Sequence, residues 1–324
     1  MDDRIVTALI AVIVVPVVLW GYIWVGESIL ERLPGKWAMR LRPYLWVAPA
    51  VLFATVFMVW PMINTIVISF MNKNSTQWVG FDNYVYFFTN PDTLGALKNN
   101  VLWLVFFTGF VVLGGLIISV LFDRVHYETL AKTAVFLPIP ISAVAASIIW
   151  KFMFEYQPPG QTQTGTLNAI LATVTLGPVA WTVNQSINNA ALIFVGIWSW
   201  TGFAMVIISA SLKSISPELL EAARVDGASE VRVLRSIIIP ILLPTLTIVT
   251  TTMIITALKV FDIVYTLTAG AYGTDVIARQ MLGQLTSGSP QFGRAAAVAV
   301  VLLVAVLPVL AINLRRFRQQ EEQR

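Results

Sequence analysis

The chain has 324 residues, of which 57% are hydrophobic and only 12% are charged. Soluble domains carry about twice that fraction of charge, so the composition excludes a cytosolic enzyme, a disordered chain and a nucleic-acid-binding protein. The chain has no cysteine and a single histidine, His126, which excludes a disulfide framework, a thiolate zinc site and a histidine-rich metal site. In a chain of this composition, the net charge of +4 indicates on which side of a membrane the loops lie.

Stretches without charged residues predict the membrane spans, because a helix needs roughly 20 apolar residues to cross the hydrocarbon core. The predicted spans are seven in number: 5–26, 43–72, 99–122, 133–150, 190–212, 236–258 and 295–314. The first follows an acidic leader, which favours a retained helix over a signal peptide. A shorter apolar piece, 167–176, ends at Gly177 and Pro178 and predicts an interfacial helix. The predicted fold class is all-α, a polytopic membrane protein with about seven transmembrane helices.

The distribution of Lys and Arg predicts the orientation. Seven spans sort the loops into two sets, one with 14 basic residues and the other with 7. The basic set comprises the loops 27–43, 123–132 and 213–235 and the tail from 315. Because cytoplasmic loops carry the excess of Lys and Arg, the sequence predicts a multi-pass cytoplasmic (inner) membrane protein of a bacterium or archaeon. Its N-terminus is expected outside and its C-terminus in the cytoplasm.

The predicted cytoplasmic loop 213–236 carries the signals of a short capped helix. Ser216 is a suitable N-cap, Pro217 fits the first helical position, and Glu218 places a negative charge near the helix N-terminus. Gly227 suits the left-handed residue that closes a helix, and Ser229 is suited to capping a second helix. The loop is therefore predicted to be a helix, a turn and another helix. Leu220, Ala223 and Gly227 are predicted to share a side that another protein can approach closely.

The spacing of this loop resembles a known motif. Glu221-Ala222-Ala223, then Gly227 and Ile237-Ile-Ile-Pro240, are similar to the EAA loop of ABC importer permeases, in particular the carbohydrate-uptake permeases of the maltose-permease type. Other segments with the same resemblance are Gly80-Phe-Asp-Asn-Tyr84, Trp198-Ser-Trp-Thr-Gly-Phe203 and Leu258-Lys-Val-Phe-Asp-Ile-Val-Tyr-Thr-Leu-Thr268. The resemblance divides the chain into an extra N-terminal helix with its linker, 1–42, and an importer transmembrane domain, 43–324.

The resemblance implies that the EAA helix is a coupling helix that docks on a separate cytoplasmic ATPase. Its implied coupling residues are Glu221, Ala222, Ala223, Asp226, Gly227 and Pro240. The chain has no G-x-x-x-x-G-K-[ST] phosphate loop, so ATP and Mg²⁺ are expected on the ATPase dimer, with no cofactor and no enzymatic activity in this chain. The other implied partners are a second, related permease in a heterodimer and an extracytoplasmic sugar-binding protein.

A sugar path needs hydroxyl partners and an aromatic platform within the bundle. The fifth predicted span offers Gly196, Ser199, Trp200 and Phe203 at helical spacing, and the sixth offers Thr252, Thr256 and Lys259. In the resembling sugar permeases the substrate site lies on these two helices. The predicted function is passage of an oligosaccharide, such as an α-glucoside, into the cytoplasm.

Two alternatives stay open at this stage. Within the same class, the solute is glycerol 3-phosphate or another polar compound. In a different class, the chain is a secondary transporter or channel, which tends to place ionisable residues in mid-membrane. Only Lys259 and Asp262 approach such a position, at the outer end of the sixth span.

Overall fold

The computed structural model describes residues 3–123 and 125–321. Over this part of the chain the structure is all-α. It contains no β-strand, and the only β-pairing is an isolated antiparallel bridge between Met71 and Trp78. The chain divides into two compact units, Met1–Val67 and Ile68–Arg324.

Six helical stretches among the described residues are long and apolar enough to cross a membrane. They are Val12–Leu30, Gly35–Ile68, Pro91–Phe122, Asn188–Leu212, Glu230–Leu258 and Phe292–Ile312. They correspond to six of the seven predicted spans. The remaining run, 133–150, forms two shorter helices, α7 (Glu128–Phe136) and α8 (Ala143–Met153). Pro138 and Pro140 lie in the break between them, where proline removes the N–H that a continuous helix requires.

Unit 1 is a helical hairpin. Helix α1 (Asp3–Leu30) and helix α2 (Gly35–Ala54) are joined by a short turn, and α3 (Trp60–Ile68) continues α2. Gly26 packs against Leu45, where a Cβ on residue 26 would overlap the leucine side chain. Near the turn, the Glu27 carboxylate accepts hydrogen bonds from Trp46 Nε1 at 2.9 Å and from Arg42 Nε at 3.0 Å. The first predicted span, 5–26, is thus observed as part of α1, which packs against α2.

Unit 2 is organised around one long central helix. That helix is α10 (Asn188–Leu212). The other helices of unit 2 are α4 (Asp82–Thr89), α5 (Pro91–Leu102), α6 (Thr108–Phe122), α7, α8, α9 (Thr166–Thr173), α11 (Pro217–Val225), α12 (Glu230–Val233), α13 (Ile239–Leu258), α14 (Asp262–Thr268), α15 (Ile277–Thr286) and α16 (Phe292–Glu321). The short helix predicted over 167–176 is observed as α9, which ends at Thr173, before Gly177.

Helix α10 carries the core of unit 2. Its residues Leu192, Val195 and Ile208 are fully buried. Gly115 on α6 lets the two helices approach closely, because a Cβ at that position would lie 2.6 Å from the Cβ of Ala204. Close backbone approach at small residues is a general means of packing membrane helices.

Among the helices that the structure describes, three long ones contain a π-helical turn, at Thr55–Val59, Trp103–Phe107 and Leu234–Ile238. In two cases a proline, Pro61 or Pro240, follows two residues after the turn ends. A proline cannot donate the α-helical hydrogen bond to the preceding turn, which favours the wider π geometry there. The turn at Trp103–Phe107 has no such proline and carries two buried aromatic residues instead. Single π-turns within α-helices often occur at functional sites.

Candidate functional site

A cavity of about 240 Å³ lies where α13 ends and α14 begins. Trp103 and Phe107 of the π-turn and Trp200 of α10 form its aromatic wall. Thr256 and Lys259 line it from the end of α13, and Asp262 lines it from the start of α14. Lys259 and Asp262 are exposed. Phe261 also lines the cavity, which therefore combines four aromatic residues, one hydroxyl and one charge of each sign.

The structure brings three of the seven predicted substrate-path residues to this cavity: Trp200, Thr256 and Lys259. The Thr256 hydroxyl donates to the carbonyl of Thr252 at 2.9 Å. Because its only hydrogen is used within the helix, the hydroxyl has lone pairs left with which to accept a hydrogen bond from a ligand. Trp200 is half-buried and presents an apolar ring surface to the same space.

The other four predicted substrate-path residues do not line the cavity. Ser199 donates to Val195 O at 2.9 Å and Thr252 to Ile248 O at 2.9 Å, so both hydroxyls bond their own helix. The ring of Phe203 packs edge-on against Trp200, with centroids 5.7 Å apart. Gly196 is buried behind the aromatic wall, where a Cβ would lie 2.8 Å from Trp103 Cζ3 and 3.1 Å from Phe107 Cδ2. Phe203 and Gly196 therefore support the wall rather than face the cavity.

Nine of the twelve lining residues were not among the predicted substrate-path residues, and they include Trp103, Phe107 and Phe261. Trp103 and Phe107 are four residues apart in a charge-free run, which is a pattern that any buried helix face shows. Nothing in the sequence distinguishes them from ordinary core residues, since the π-turn that carries them is not encoded by a proline. The indole N–H of Trp103 is buried and has no hydrogen-bond partner among the described residues.

A second candidate site is the short helix α11, which contains the EAA-like sequence. The helix ends in a Schellman motif: Gly227 has φ of +80°, its N–H bonds Arg224 O at 3.0 Å, and the N–H of Ala228 bonds Ala223 O at 3.0 Å. The Ser229 hydroxyl then accepts from the N–H of Arg232 at 3.4 Å and caps α12. The predicted helix–turn–helix arrangement is therefore observed.

The N-terminus of α11 differs in detail from the expectation. Ser216 precedes the helix, but its side chain makes no hydrogen bond to the helix backbone. The hydroxyl donates instead to the Glu218 carboxylate. This bond lowers the pKa of Glu218 and keeps a negative charge near the helix N-terminus, where the helix dipole favours it.

The two faces of α11 have different surroundings. Leu220 and Ala223 are half-buried and pack on the core of unit 2, as does Ala228. Glu221, Ala222, Asp226 and Gly227 are exposed, and Val225 is 86% exposed. Leu220 and Ala223, which were predicted to lie with Gly227 on the side that meets another protein, thus face the core. The exposed face that a partner can reach carries Glu221, Ala222 and Val225.

Charged residues surround α11 on the side of α6 and α10. A cleft of about 480 Å³ is lined by Glu221 and Arg224 from α11 and by Asp123 and Lys213 from the neighbouring helix ends. Arg224 Nε also pairs with Glu230 Oε1 at 2.9 Å, which links α11 to α12. Pro240 is exposed at the start of α13, directly after the π-turn Leu234–Ile238.

Glu128 ties α7 to the end of α10 beside this loop. Its carboxylate pairs with Lys132 on the same helix and with Lys213 Nζ at 2.7 Å. The hydrogen bonds from Lys132 and Lys213 hold the pKa of Glu128 below its usual range. Over the described residues, no group of three or more His, Asp or Glu side chains is placed to hold a metal ion.

Spanning helices, a cavity at a helix break and a capped surface helix are the features expected of the membrane component of a solute transport system. The family model for the binding-protein-dependent transport system inner membrane component matches residues 2–318, and the chain belongs to this family. It is accordingly a multi-pass inner membrane protein. The match begins at residue 2, whereas the sequence motifs that carry the resemblance lie after residue 43.

Relatives and solved structures agree with this assignment. The chain is 47% identical over 280 residues to the osmoprotective compounds uptake permease protein GgtC of Synechocystis sp., covering 86% of this chain and 100% of that protein. It is 35% identical to the alpha-glucoside transport system permease protein AglF of Rhizobium meliloti, covering 97% of each. A chain of a bacterial ABC transporter that imports the acidic polysaccharide alginate superposes with a TM-score of 0.72 at 25% identity, covering 87% of this chain and 99% of that one.

Proposed function

We propose that the chain is the permease subunit of an ABC importer that passes a sugar or glycoside, in particular an α-glucoside-type oligosaccharide, through the cavity between Trp200 and Thr256. The observation that carries the proposal is the joint presence of these two residues in one cavity. A pyranose has apolar faces that pack on an aromatic ring, and equatorial hydroxyls that donate to an acceptor such as the Thr256 hydroxyl. The relatives named for an alpha-glucoside and for osmoprotective compounds support this substrate class.

Energy for transport is proposed to come from a separate ATPase dimer that binds ATP and Mg²⁺. The exposed residues Glu221, Ala222 and Val225 of α11 would contact it, with Glu221 making a polar contact and Ala222 permitting close approach. Ala223, Asp226 and Gly227 would act by holding the shape of the helix and its closing turn. Pro240 would act through the π-turn that links this loop to α13, which carries Thr256.

The remaining partners follow from the same proposal. A second, related permease would complete the pathway as a heterodimer. An extracytoplasmic binding protein would deliver the sugar. The placement of the N-terminus outside and the C-terminus inside rests on the excess of Lys and Arg in the loops assigned to the cytoplasm.

Lys259 favours a second candidate substrate class. Its ammonium group at the rim of the cavity would attract an anionic solute, such as a phosphate-bearing polyol or an acidic sugar. The solved importer of acidic alginate shows that this fold accommodates such a substrate. Replacement of Lys259 by Met separates the classes, because it should abolish uptake of an anionic solute and leave uptake of a neutral glycoside largely intact.

The proposal is tested by reconstituting the complex and measuring uptake of a panel of radiolabelled sugars. Trp200→Ala and Thr256→Val should reduce uptake while complex assembly and basal ATP hydrolysis persist. Thr251→Val is a matched control, because Thr251 also donates to its own helix, at 2.8 Å to Thr247 O, but does not line the cavity. Normal uptake by both cavity variants would place the substrate site elsewhere. Absence of uptake for every sugar in the panel would refute the substrate class.

A further inference from the structure

Two adjacent buried asparagines lie at the end of α5, directly before the π-turn. Asn99 is 5% exposed and Asn100 is 3% exposed. Each side chain bridges to backbone groups more than 150 residues away in the chain. Buried amides are costly unless their hydrogen bonds are made, so the backbone groups that each one holds indicate what it does.

Asn100 binds the end of α13. Its Nδ2 donates to the carbonyl oxygens of Ala257 at 3.3 Å and Leu258 at 3.4 Å, which belong to the last turn of that helix. Its Oδ1 accepts the N–H of Ile277, the first residue of α15, at 2.8 Å. The last carbonyls of an α-helix lack partners within the helix, so Asn100 acts as a C-terminal cap supplied by another helix.

Asn99 makes bonds of the same kind to a different segment. Its Nδ2 donates to the carbonyl oxygens of Gly273 at 2.7 Å and Asp275 at 2.8 Å, in the loop between α14 and α15. Neither of these two backbone positions lines the cavity at the end of α13. Asn99 Oδ1 also accepts from Asn189 Nδ2 at 3.3 Å, at the start of α10. The two neighbours therefore form a natural comparison: Asn100 holds the helix end beside the cavity, and Asn99 holds segments that do not line it.

The helix end that Asn100 caps forms part of the cavity wall. Ala257 lines the cavity, and Thr256 and Lys259 lie one residue before it and two residues after it. The chain leaves the helical conformation at Lys259, whose φ and ψ are −97° and 9°. The point at which α13 stops thus fixes where the Thr256 hydroxyl and the Lys259 ammonium group lie relative to Trp103 and Trp200.

We infer that Asn100 is a positioning residue for substrate binding, which acts by capping α13 and so fixing Thr256 and Lys259 against the aromatic wall. The part of this inference that concerns substrate binding rests on the proposed function. Its structural part, that Asn100 sets the end of α13, stands apart from the identity of the solute.

The first test compares Asn100→Leu with Asn99→Leu in the reconstituted complex, with the solute that the sugar panel identifies. Both changes remove an amide of similar size from neighbouring positions. Loss of the bonds to Ala257 and Leu258 should raise KM about tenfold, which corresponds to about 1.4 kcal/mol. The value of kcat should stay within about twofold, because the change acts on the position of the binding residues. Asn99→Leu should leave KM within about twofold of the parent value.

The second test needs no substrate. The chain has no cysteine, so Lys259→Cys introduces a single reporter at the end of α13. In the purified complex, Asn100→Leu should increase its rate of reaction with a small polar thiol reagent several-fold, and Asn99→Leu should not. If the Asn100→Leu complex does not assemble, Asn100→Ser, which keeps one donor, replaces it, and its KM and thiol reaction rate are compared with those of Asn99→Leu.

The outcomes separate the two proposals. An unchanged thiol reaction rate in the Asn100 variant, or an equal increase in both variants, overturns the inference. An unchanged KM in the Asn100 variant also overturns it. A wild-type complex that transports none of the sugars refutes the proposed function, and the thiol reaction then still decides whether Asn100 sets the end of α13.

Discussion

Gly196 shapes the cavity without lining it. Its place on the face shared with Trp200 predicts a position along a substrate path. In the structure it is buried, and the space that a side chain would occupy holds the rings of Trp103 and Phe107. Because Gly196 has no Cβ, the two rings can pack against α10 and form the wall of the cavity.

We predict that Gly196→Ala destabilises the protein and impairs transport. The added Cβ would lie 2.8 Å from Trp103 Cζ3, and such overpacking typically costs about 1–3 kcal/mol. The measurement is the thermal midpoint of the purified protein in detergent, together with uptake by the complex. Gly109→Ala is the control, since nothing lies within 4 Å of a Cβ at that position in α6. Equal thermal midpoints for the two variants would show that the aromatic rings move to accommodate the added Cβ without loss of stability.

At the scale of elements, α11 combines a shape that the sequence predicts with an orientation that it does not. Pro217, Gly227 and Ser229 mark the helix ends through local backbone chemistry, and all three occur where expected. Which side of the helix faces outward depends on the packing of Leu220 and Ala223 against the core. The partner-facing surface is consequently Glu221, Ala222 and Val225.

Gly227→Val should uncouple ATP hydrolysis from transport while the protein still inserts. A β-branched residue at φ of +80° is strained, and a left-handed residue costs about 1–2 kcal/mol. The expected loss is in substrate-stimulated ATPase activity and in retention of the ATPase during purification. Gly80→Val is the matched control, because Gly80 has φ of +60°, open surroundings and a place in a predicted outer loop. Loss of coupling in both variants would point to general misfolding.

Glu128 gives an element-scale prediction that depends on pH. Since its pKa in the folded protein is lowered by Lys132 and Lys213, its ion pairs stabilise the fold at neutral pH. That contribution is lost as the pH falls from the ordinary glutamate pKa through the lowered folded value. Glu128→Gln should thus have a lower thermal midpoint than the parent protein at neutral pH, and the difference should shrink in acid. A difference that stays constant with pH would exclude this role for the carboxylate.

At the scale of the whole molecule, the charges of the loops predict the orientation in the membrane. Asn74→Cys and Gln163→Cys should react with a membrane-impermeant thiol reagent in intact cells, because both lie in loops poor in Lys and Arg. Ser214→Cys, beside α11, should react only after lysis. Reaction of Ser214→Cys from outside the cell would reverse the proposed orientation and remove α11 from the cytoplasm.

The sequence by itself determined the fold class, six of the spanning helices and the ends of α11. These properties follow from local physical chemistry: the length of apolar stretches needed to cross a bilayer, and the caps that particular residues supply. Helical periodicity on two spans, combined with the family resemblance, singled out Trp200 and Thr256 as candidates. Both residues line the observed cavity.

Only the tertiary structure decided how these pieces form a site. It placed Trp103 and Phe107 on a π-turn and turned Ser199 and Thr252 to their own helix carbonyls. It also joined Asn100 to the end of α13 across 157 residues of sequence. Periodicity gives the side of a helix on which a residue lies, but a membrane helix that is apolar all round has several equivalent sides. Which side faces a cavity is set by packing between distant segments, and that information is absent from any local pattern.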